Sequence, residues 1–114
     1  MILIWYPRCS TCKRAESFLK EKGLNFELRD IVINNPTRDE LNDYLKKSNL
    51  NIDKLFNTSG LVYKELGLKD KIKTLSVDEK IDLLSQNGKL IKRPILVLDD
   101  KVLFGFKKEE WEKM

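Results

Sequence analysis

With 114 residues, 22 Lys+Arg against 18 Asp+Glu and no histidine, the chain has the length of one compact domain across residues 1–114 and not of two. The missing histidine excludes Ser-His-Asp and Cys-His catalytic pairs, an HExxH zinc site and any imidazole base. With only two cysteines a structural zinc would need two carboxylate ligands, and a formal net charge of +4 falls short of a nucleic-acid footprint by itself.

Met1 to Tyr6 are apolar but too few to span a membrane, and no positively charged region precedes them as in a secretory signal. The expectation is a cytoplasmic protein with no membrane partner. Ile2 to Tyr6 are continuously apolar and end at Pro7, which suits a strand buried on both faces. Cys12, Ala15, Phe18 and Leu19 recur at helical spacing from Thr11 to Lys22, and Gly23 stands where a left-handed cap would close the helix. Phe26, Leu28 and Ile31 mark a second strand. The order strand, helix, strand within about thirty residues is that of a right-handed βαβ unit.

The middle of the chain, about residues 36–88, reads as a helical insertion. Thr37-Arg-Asp-Glu40 is a capping box after Pro36, opening a helix with Leu41, Tyr44 and Leu45 inward to about Lys47. A shorter helix is expected from Leu61 to Leu66, ending at Gly67. Ser76-Val-Asp-Glu79 is a second capping box, whose helix carries Ile81 and Leu84 inward and stops at Asn87-Gly88. Then Pro94 to Leu98, the turn Asp99-Asp100-Lys101 and Val102 to Phe104 form a β-hairpin. A terminal helix over Lys108 to Lys113 can pack Trp111 on the sheet, and Trp5, Phe18, Phe104 and Phe106 read as further core. The element order matches a thioredoxin-like α/β fold: a four-stranded mixed sheet with one antiparallel edge strand and helices on both faces.

Both cysteines lie in Cys9-Ser10-Thr11-Cys12, at the junction of the first strand and first helix. A bridge there closes too small a loop to stabilise much, so in a reducing compartment the pair points to redox chemistry. A cysteine just before a helix meets unpaired N–H groups and the positive end of the macrodipole, which favour thiolate over thiol. Arg8, Lys13 and Arg14 are close in sequence and can add positive potential, with Ser10 and Thr11 beside them as anion-binding candidates. Cys12 faces back from the first turn as a resolving thiol. The alternatives are half a zinc site, an incidental buried pair, or a Cys9 that pairs with a partner protein.

Lys92-Arg93-Pro94 precedes the hairpin. In a thioredoxin-like sheet this residue pair lies beside the dithiol, where Arg93 can point its guanidinium toward Cys9 or hold an oxyanion or carboxylate; the alternative is a solvated arginine before an edge-strand proline. Asn57-Thr58-Ser59-Gly60 is a polar turn that caps the next helix or offers N–H donors to an anion. Lys64, Lys69, Lys71 and Lys73 alternate with Glu65 and Asp70 and read as a solvated face.

Three separated stretches resemble the ArsC/Spx family: Trp5-Tyr6-Pro7-Arg8-Cys9-Ser10-Thr11-Cys12-Lys13-Arg14-Ala15, Leu55 to Gly60 with Tyr63 to Leu68, and Leu90-Ile91-Lys92-Arg93-Pro94 with Gly105-Phe106. The resemblance implies a thioredoxin fold with an inserted helical subdomain, a reactive Cys9 and a cis peptide between Arg93 and Pro94. The glutaredoxin-coupled arsenate reductases of the family resemble the chain at Cys9 and Arg93, but carry one cysteine in the first motif and an arginine where this chain has Asn57. The Spx/MgsR-like branch resembles it more closely in the CxxC and in Arg-Pro-Ile; its members bind the RNA polymerase α-subunit and use the dithiol as an oxidation switch. The chain stops soon after Trp111, short of the longer tail of Spx itself, a difference that weighs against a regulator of that kind.

The leading expectation is therefore an ArsC-like thiol-disulfide oxidoreductase with Cys9 as nucleophile, Cys12 as resolving thiol and Arg93 as anion holder. Pro94 and Asn57 stand among the substrate-binding candidates. No metal or organic cofactor is implied. The reductant would be glutathione/glutaredoxin or thioredoxin, and the protein would act as a monomer whose partners are thiol redox proteins or small thiols. The rival is a redox-sensing regulator that binds RNA polymerase; direct nucleic-acid binding is not expected.

Overall fold

A computed structural model describes residues 1–114. Its first strand, β1 (Ile2–Trp5), lies inside a four-stranded sheet ordered β2-β1-β3-β4, with β2 at Glu27–Asp30, β3 at Ile95–Val97 and β4 at Val102–Phe104. β1 pairs parallel with β2 and antiparallel with β3, and β3 pairs antiparallel with β4. The strand running against the others is thus β3, an interior strand, where the sequence suggested an edge. The hairpin forces β3 and β4 to oppose each other. It is β3, with Ile95 and Leu96 fully buried, that takes the inner place beside β1.

Register explains why β1 is apolar without interruption. Leu3, Leu96 and Leu103 lie opposite one another across three strands, as do Ile4, Ile95 and Phe104. Because successive side chains alternate in direction, the two rows face opposite sides of the sheet. The first row joins Ala15, Phe18 and Leu19 of α1 (Ser10–Glu21) and Trp111 of the terminal helix. The second joins the larger core formed with the helical segment between β2 and β3. Trp111 is 1% exposed and Phe106 meets it edge to face at 4.8 Å between ring centroids. Trp5 and Phe106 are only half-buried, at the margin of this smaller core and not within it.

The helical segment runs through α2 (Arg38–Ser48), α3 (Leu61–Glu65), α4 (Leu68–Lys71) and α5 (Val77–Gln86), with short 3-10 turns at residues 52–55, 72–74 and 88–90; α6 (Lys108–Glu112) ends the chain. Both capping boxes form: Thr37 with Glu40 and Ser76 with Glu79 exchange side-chain and backbone hydrogen bonds. Gly23 takes the left-handed conformation expected of it, at φ 70°. The stop at Asn87-Gly88 works differently. Asn87 is extended, at φ −148°, and its side chain accepts the N–H of Lys89. The α5 terminus is tied instead by Asn35 Nδ2, which donates toward the carbonyls of Leu84 and Ser85 at 3.2 and 3.1 Å. Gly88 is required by proximity: a Cβ there would lie 2.0 Å from the carbonyl oxygen of Ile31. The 3-10 turns and α4 carry no periodic signal long enough to be anticipated from sequence.

One ion pair locks this segment to the sheet. Arg29 on β2 donates from Nη1 and Nη2 to the two oxygens of Glu40 at 2.7 and 2.8 Å, and from Nε to the carbonyl of Asn34 at 2.9 Å. Arg29 hydrogen bonding chiefly holds the Glu40 carboxyl at a pKa of about 2, against the opposing effect of burial and with help from the Thr37 backbone. Glu40 therefore serves as ion-pair partner and as the reciprocal half of a capping box.

Two consequences are measurable by urea unfolding. Glu40→Gln should lose about 1–2 kcal/mol at neutral pH, allowing for the partial exposure of the carboxylate. Because the folded-state pKa lies below the unfolded value of about 4.3, the stabilisation is complete above that value and is lost as pH falls toward 2. The deficit of the variant should shrink on acidification, and an unchanged deficit at low pH would refute the assignment. Gly88→Ala should cost about 2 kcal/mol, since backbone atoms must separate to admit the methyl group.

Candidate functional site

Cys9 is the N-cap of α1. Its backbone is extended at φ −98° and ψ 114°, and the N–H of Cys12 donates to its Sγ at 3.3 Å. A sulfur thus occupies the place where a serine or aspartate oxygen normally receives the orphan N–H groups of a first turn. Cys9 is half-buried and Cys12 fully buried, and both are free thiols. The helix spacing that hides Cys12 under the first turn also aims its thiol at Cys9.

The two thiols ionise very differently. Partial burial opposes ionisation of Cys9. It is outweighed by hydrogen bonds from the Cys12 thiol and backbone N–H, together with hydrogen bonding and charge from Arg93, so its pKa falls below the ordinary value. Burial pushes Cys12 up to about 12, reinforced by its hydrogen bond to Cys9 and the charge there, while the Tyr6 backbone and Arg93 act in the opposite direction. The cation that acts on Cys9 is therefore Arg93. Arg8, Lys13 and Arg14 are exposed, and none of them is among the leading influences on the sulfur. Arg14 turns back to donate from Nη2 to Thr11 Oγ1 at 3.3 Å. These exposed side chains face solvent from the first turn and the loop before it.

Arg93 is half-buried before a cis peptide to Pro94. Its guanidinium carbon lies 5.0 Å from the centroid of the Tyr6 ring, and its Nη1 is buried with no hydrogen-bond acceptor. The loop that carries it is anchored by the other half of the fold. The N–H of Lys92 donates to the Leu55 carbonyl and that of Asn57 to the Leu90 carbonyl, each at 2.7 Å, around a bridge between Phe56 and Ile91. These bonds bring Asn57 and Arg93 to one cleft of about 470 Å³, shared with Tyr6, Gly60 and Lys89.

Ser10 is exposed at the first position of α1, and Thr11 is half-buried behind it. Asn57, Thr58 and Ser59 do not cap α3: its N-cap is Gly60, with no side-chain hydrogen bond. A Cβ on Gly60 would lie 2.7 Å from the Asn57 side-chain nitrogen, so a larger residue there would have to displace the Asn57 amide. The lysines at 64, 69, 71 and 73 are all exposed, as a solvated face requires. Tyr6 and Lys89 escaped the sequence reading. Lys89 Nζ lies 6.0 Å from the Tyr6 centroid, so two cations address one ring. Tyr6, a phenol directly after the apolar strand Ile2–Trp5 and just before the cysteine motif, was the one available signal. Nothing local marks Lys89.

A model of the ArsC family matches residues 4–114. Among curated relatives, YusI of Bacillus subtilis is 42% identical over 109 residues, 96% of this chain and 92% of YusI. The regulatory protein MgsR of the same organism is 33% identical over 109 residues, 96% of this chain and 85% of MgsR. The global transcriptional regulator Spx of Streptococcus pyogenes is 27% identical over 104 residues, 91% of this chain and 76% of Spx. An ArsC family related protein from Bacteroides fragilis superposes with a TM-score of 0.96 at 49% identity, covering 98% of this chain and 94% of that one. The arsenate reductase from Vibrio cholerae does so with a TM-score of 0.85 at 25% identity, covering 99% and 97%. Matched along almost its whole length in both sequence and thioredoxin-like architecture, the chain belongs to the ArsC family.

Proposed function

We propose that the protein is a thiol-disulfide oxidoreductase in which Cys9 attacks, Cys12 resolves and Arg93 holds the anionic part of the substrate. The observation that carries this reading is the Cys9 sulfur at the mouth of α1, accepting the Cys12 N–H and favoured as thiolate by Cys12 and Arg93. Lowering the pKa of a thiol raises its thiolate fraction at a given pH and makes it a better leaving group.

In the first step the Cys9 thiolate attacks one sulfur of a substrate disulfide. A Cys9–substrate disulfide forms, the substrate S–S bond breaks, and its other sulfur leaves as thiolate. Bonding at Cys9 removes the negative charge that had raised the Cys12 pKa, leaving burial as the main opposing factor and Arg93 in favour. Cys12 then gives up its proton to the substrate thiolate released in the first step and attacks Cys9, so that the Cys9–Cys12 disulfide forms, the Cys9–substrate bond breaks and the second substrate sulfur leaves as thiolate. Two electrons from glutathione/glutaredoxin or thioredoxin restore the dithiol. The unpartnered Nη1 of Arg93 supports an anion in the adjoining cleft. There Lys89 adds a second positive charge beside Asn57, whose amide supplies none, although an ammonium lacks the bidentate fork of an arginine.

The similarity to MgsR and Spx favours a second reading, in which the same dithiol is an oxidation switch on a surface that binds the RNA polymerase α-subunit. A dithiol whose outer sulfur is reachable and whose inner sulfur is buried can serve either role.

The ionisation claim is tested by the pH dependence of iodoacetamide modification, followed by mass spectrometry. Cys9 should titrate with a midpoint below the free-thiol value of about 8.5, while Cys12 stays unmodified through that range. Arg93→Ala and Cys12→Ala should each raise the Cys9 midpoint, the first by removing a cation and the second a donor. A wild-type midpoint at or above about 8.5 would defeat the proposal. Function is then separated by turnover and binding. Reduction of a model disulfide with glutaredoxin or thioredoxin supplied is the expected result, and arsenate turnover would redirect the reading to arsenate reduction through Arg93 and Lys89. Redox-dependent capture of the polymerase α-subunit without turnover would establish the regulator instead.

A further inference from the structure

A second cleft, of about 370 Å³, opens between the C-terminal end of α2, strand β4 and α6. Lys54, Lys92, Lys101, Lys107 and Lys113 line it, against one acidic residue, Glu110. None of these five lysines is in a salt bridge. The cleft concentrates as much excess positive charge as the entire chain carries. Four of the lysines are exposed; Lys92 is half-buried across Gly105, where a Cβ would lie 2.8 Å from its Cε. The accessible apolar side chain is that of Leu50, which is 39% exposed, above a closed floor of Val102, Leu103 and Phe104 of β4, at 1%, 9% and 5%.

We propose that this cleft docks an acidic polypeptide segment of a partner protein, one that carries aliphatic side chains among its carboxylates. Unpaired ammonium groups around a partly apolar recess are complementary to alternating carboxylate and aliphatic groups. A nucleic acid fits less well, because single strands are held by aromatic faces on which bases stack, and the one aromatic residue lining the cleft, Phe104, is 5% exposed. The cleft is lined at one end by Lys92, the residue before Arg93, and β4 runs toward it from the hairpin turn at Lys101 to Gly105. A segment seated in it would lie along the sheet with one end near the loop that carries Arg93. The proposal rests on charge and shape, and it stands or falls apart from the redox reading.

The test is anisotropy of a rhodamine-labelled peptide alternating Glu and Leu, titrated with the full chain. The charge-reversed triple variant Lys54→Glu, Lys101→Glu and Lys107→Glu is compared with Lys64→Glu, Lys69→Glu and Lys71→Glu, which changes net charge equally on the solvated face. Circular dichroism checks that both fold. The cleft variant should weaken binding about tenfold or more, with the control within about twofold of wild type. Equal losses would mean unspecific attraction and overturn the proposal, as would absence of binding to wild type. Equal affinity for a Glu-Ser peptide would refute the apolar contribution. Tighter binding of a single-stranded oligonucleotide, lost in the same cleft variant, would assign the cleft to nucleic acid instead.

Discussion

The sulfur of Cys9 performs a structural task and is the centre of the proposed chemistry at once. As N-cap of α1 it receives the Cys12 N–H, and a negative charge at that position is what a helix start favours. Ionisation of the thiol and capping of the helix therefore reinforce each other. That coupling has a direction: converting Cys9 from thiolate to disulfide withdraws charge from the helix start, so the first turn of α1 is less well satisfied in the oxidised protein than in the reduced one. The site and the helix beneath it cannot be altered independently, because Ala15, Phe18 and Leu19 on the same helix form the smaller core with Leu3 and Trp111.

The second requirement, a cation beside that sulfur, is met from the neighbouring strand, β3, whose N-terminal end lies beside the C-terminal end of β1. Arg93 enters on the segment leading into β3, and the bonds that fix this segment come from Leu55 and Asn57 in the helical insertion. The insertion thus does more than cover one face of the sheet. It is tied to β2 through Arg29 and Glu40, to the turn after β2 through Asn35, which holds the end of α5, and to the Arg93 loop through the Phe56–Ile91 bridge. Cys9 and Arg93 meet because two independently anchored layers each bring one of them to the same end of the sheet.

This division explains what could be seen in the amino-acid sequence. Features written in short range were legible: both capping boxes, the apolar run of β1, the left-handed Gly23 and the placement of Cys9 and Cys12 on a first helical turn. The family motifs brought in Arg93 and the cis bond to Pro94. Features set by long-range contact were not. Arg8 and Arg14 looked like the cations that act on the sulfur, yet both are exposed and Arg93 takes that part, because adjacency along a chain says little about where a long side chain turns. Asn57 looked like a helix cap until Gly60 took that position, and Gly88 looked like a helix stop although its glycine is demanded by a carbonyl of Ile31 some fifty-seven residues earlier. Lys89 reaches Tyr6 only through the fold. The interior position of β3 likewise depended on which hairpin strand met β1, a question of packing that strand propensity does not answer.

The unequal burial of the two cysteines constrains any function built on them. A fully buried Cys12 with a pKa of about 12 is shielded from external oxidants and thiols, so traffic with other molecules passes through Cys9. On the proposed reading, this makes the intramolecular disulfide reducible only by attack at the outer sulfur, which returns Cys12 as the leaving group. Burial alone then opposes negative charge on the departing Cys12, since Cys9 is bonded and uncharged, and Arg93 acts against that penalty by favouring negative charge on both sulfurs. The same guanidinium thus eases the forward attack by Cys9 and the final release of Cys12. An arginine suits both steps because its charge is permanent, while a histidine in its place would lose its charge as pH rises through neutrality.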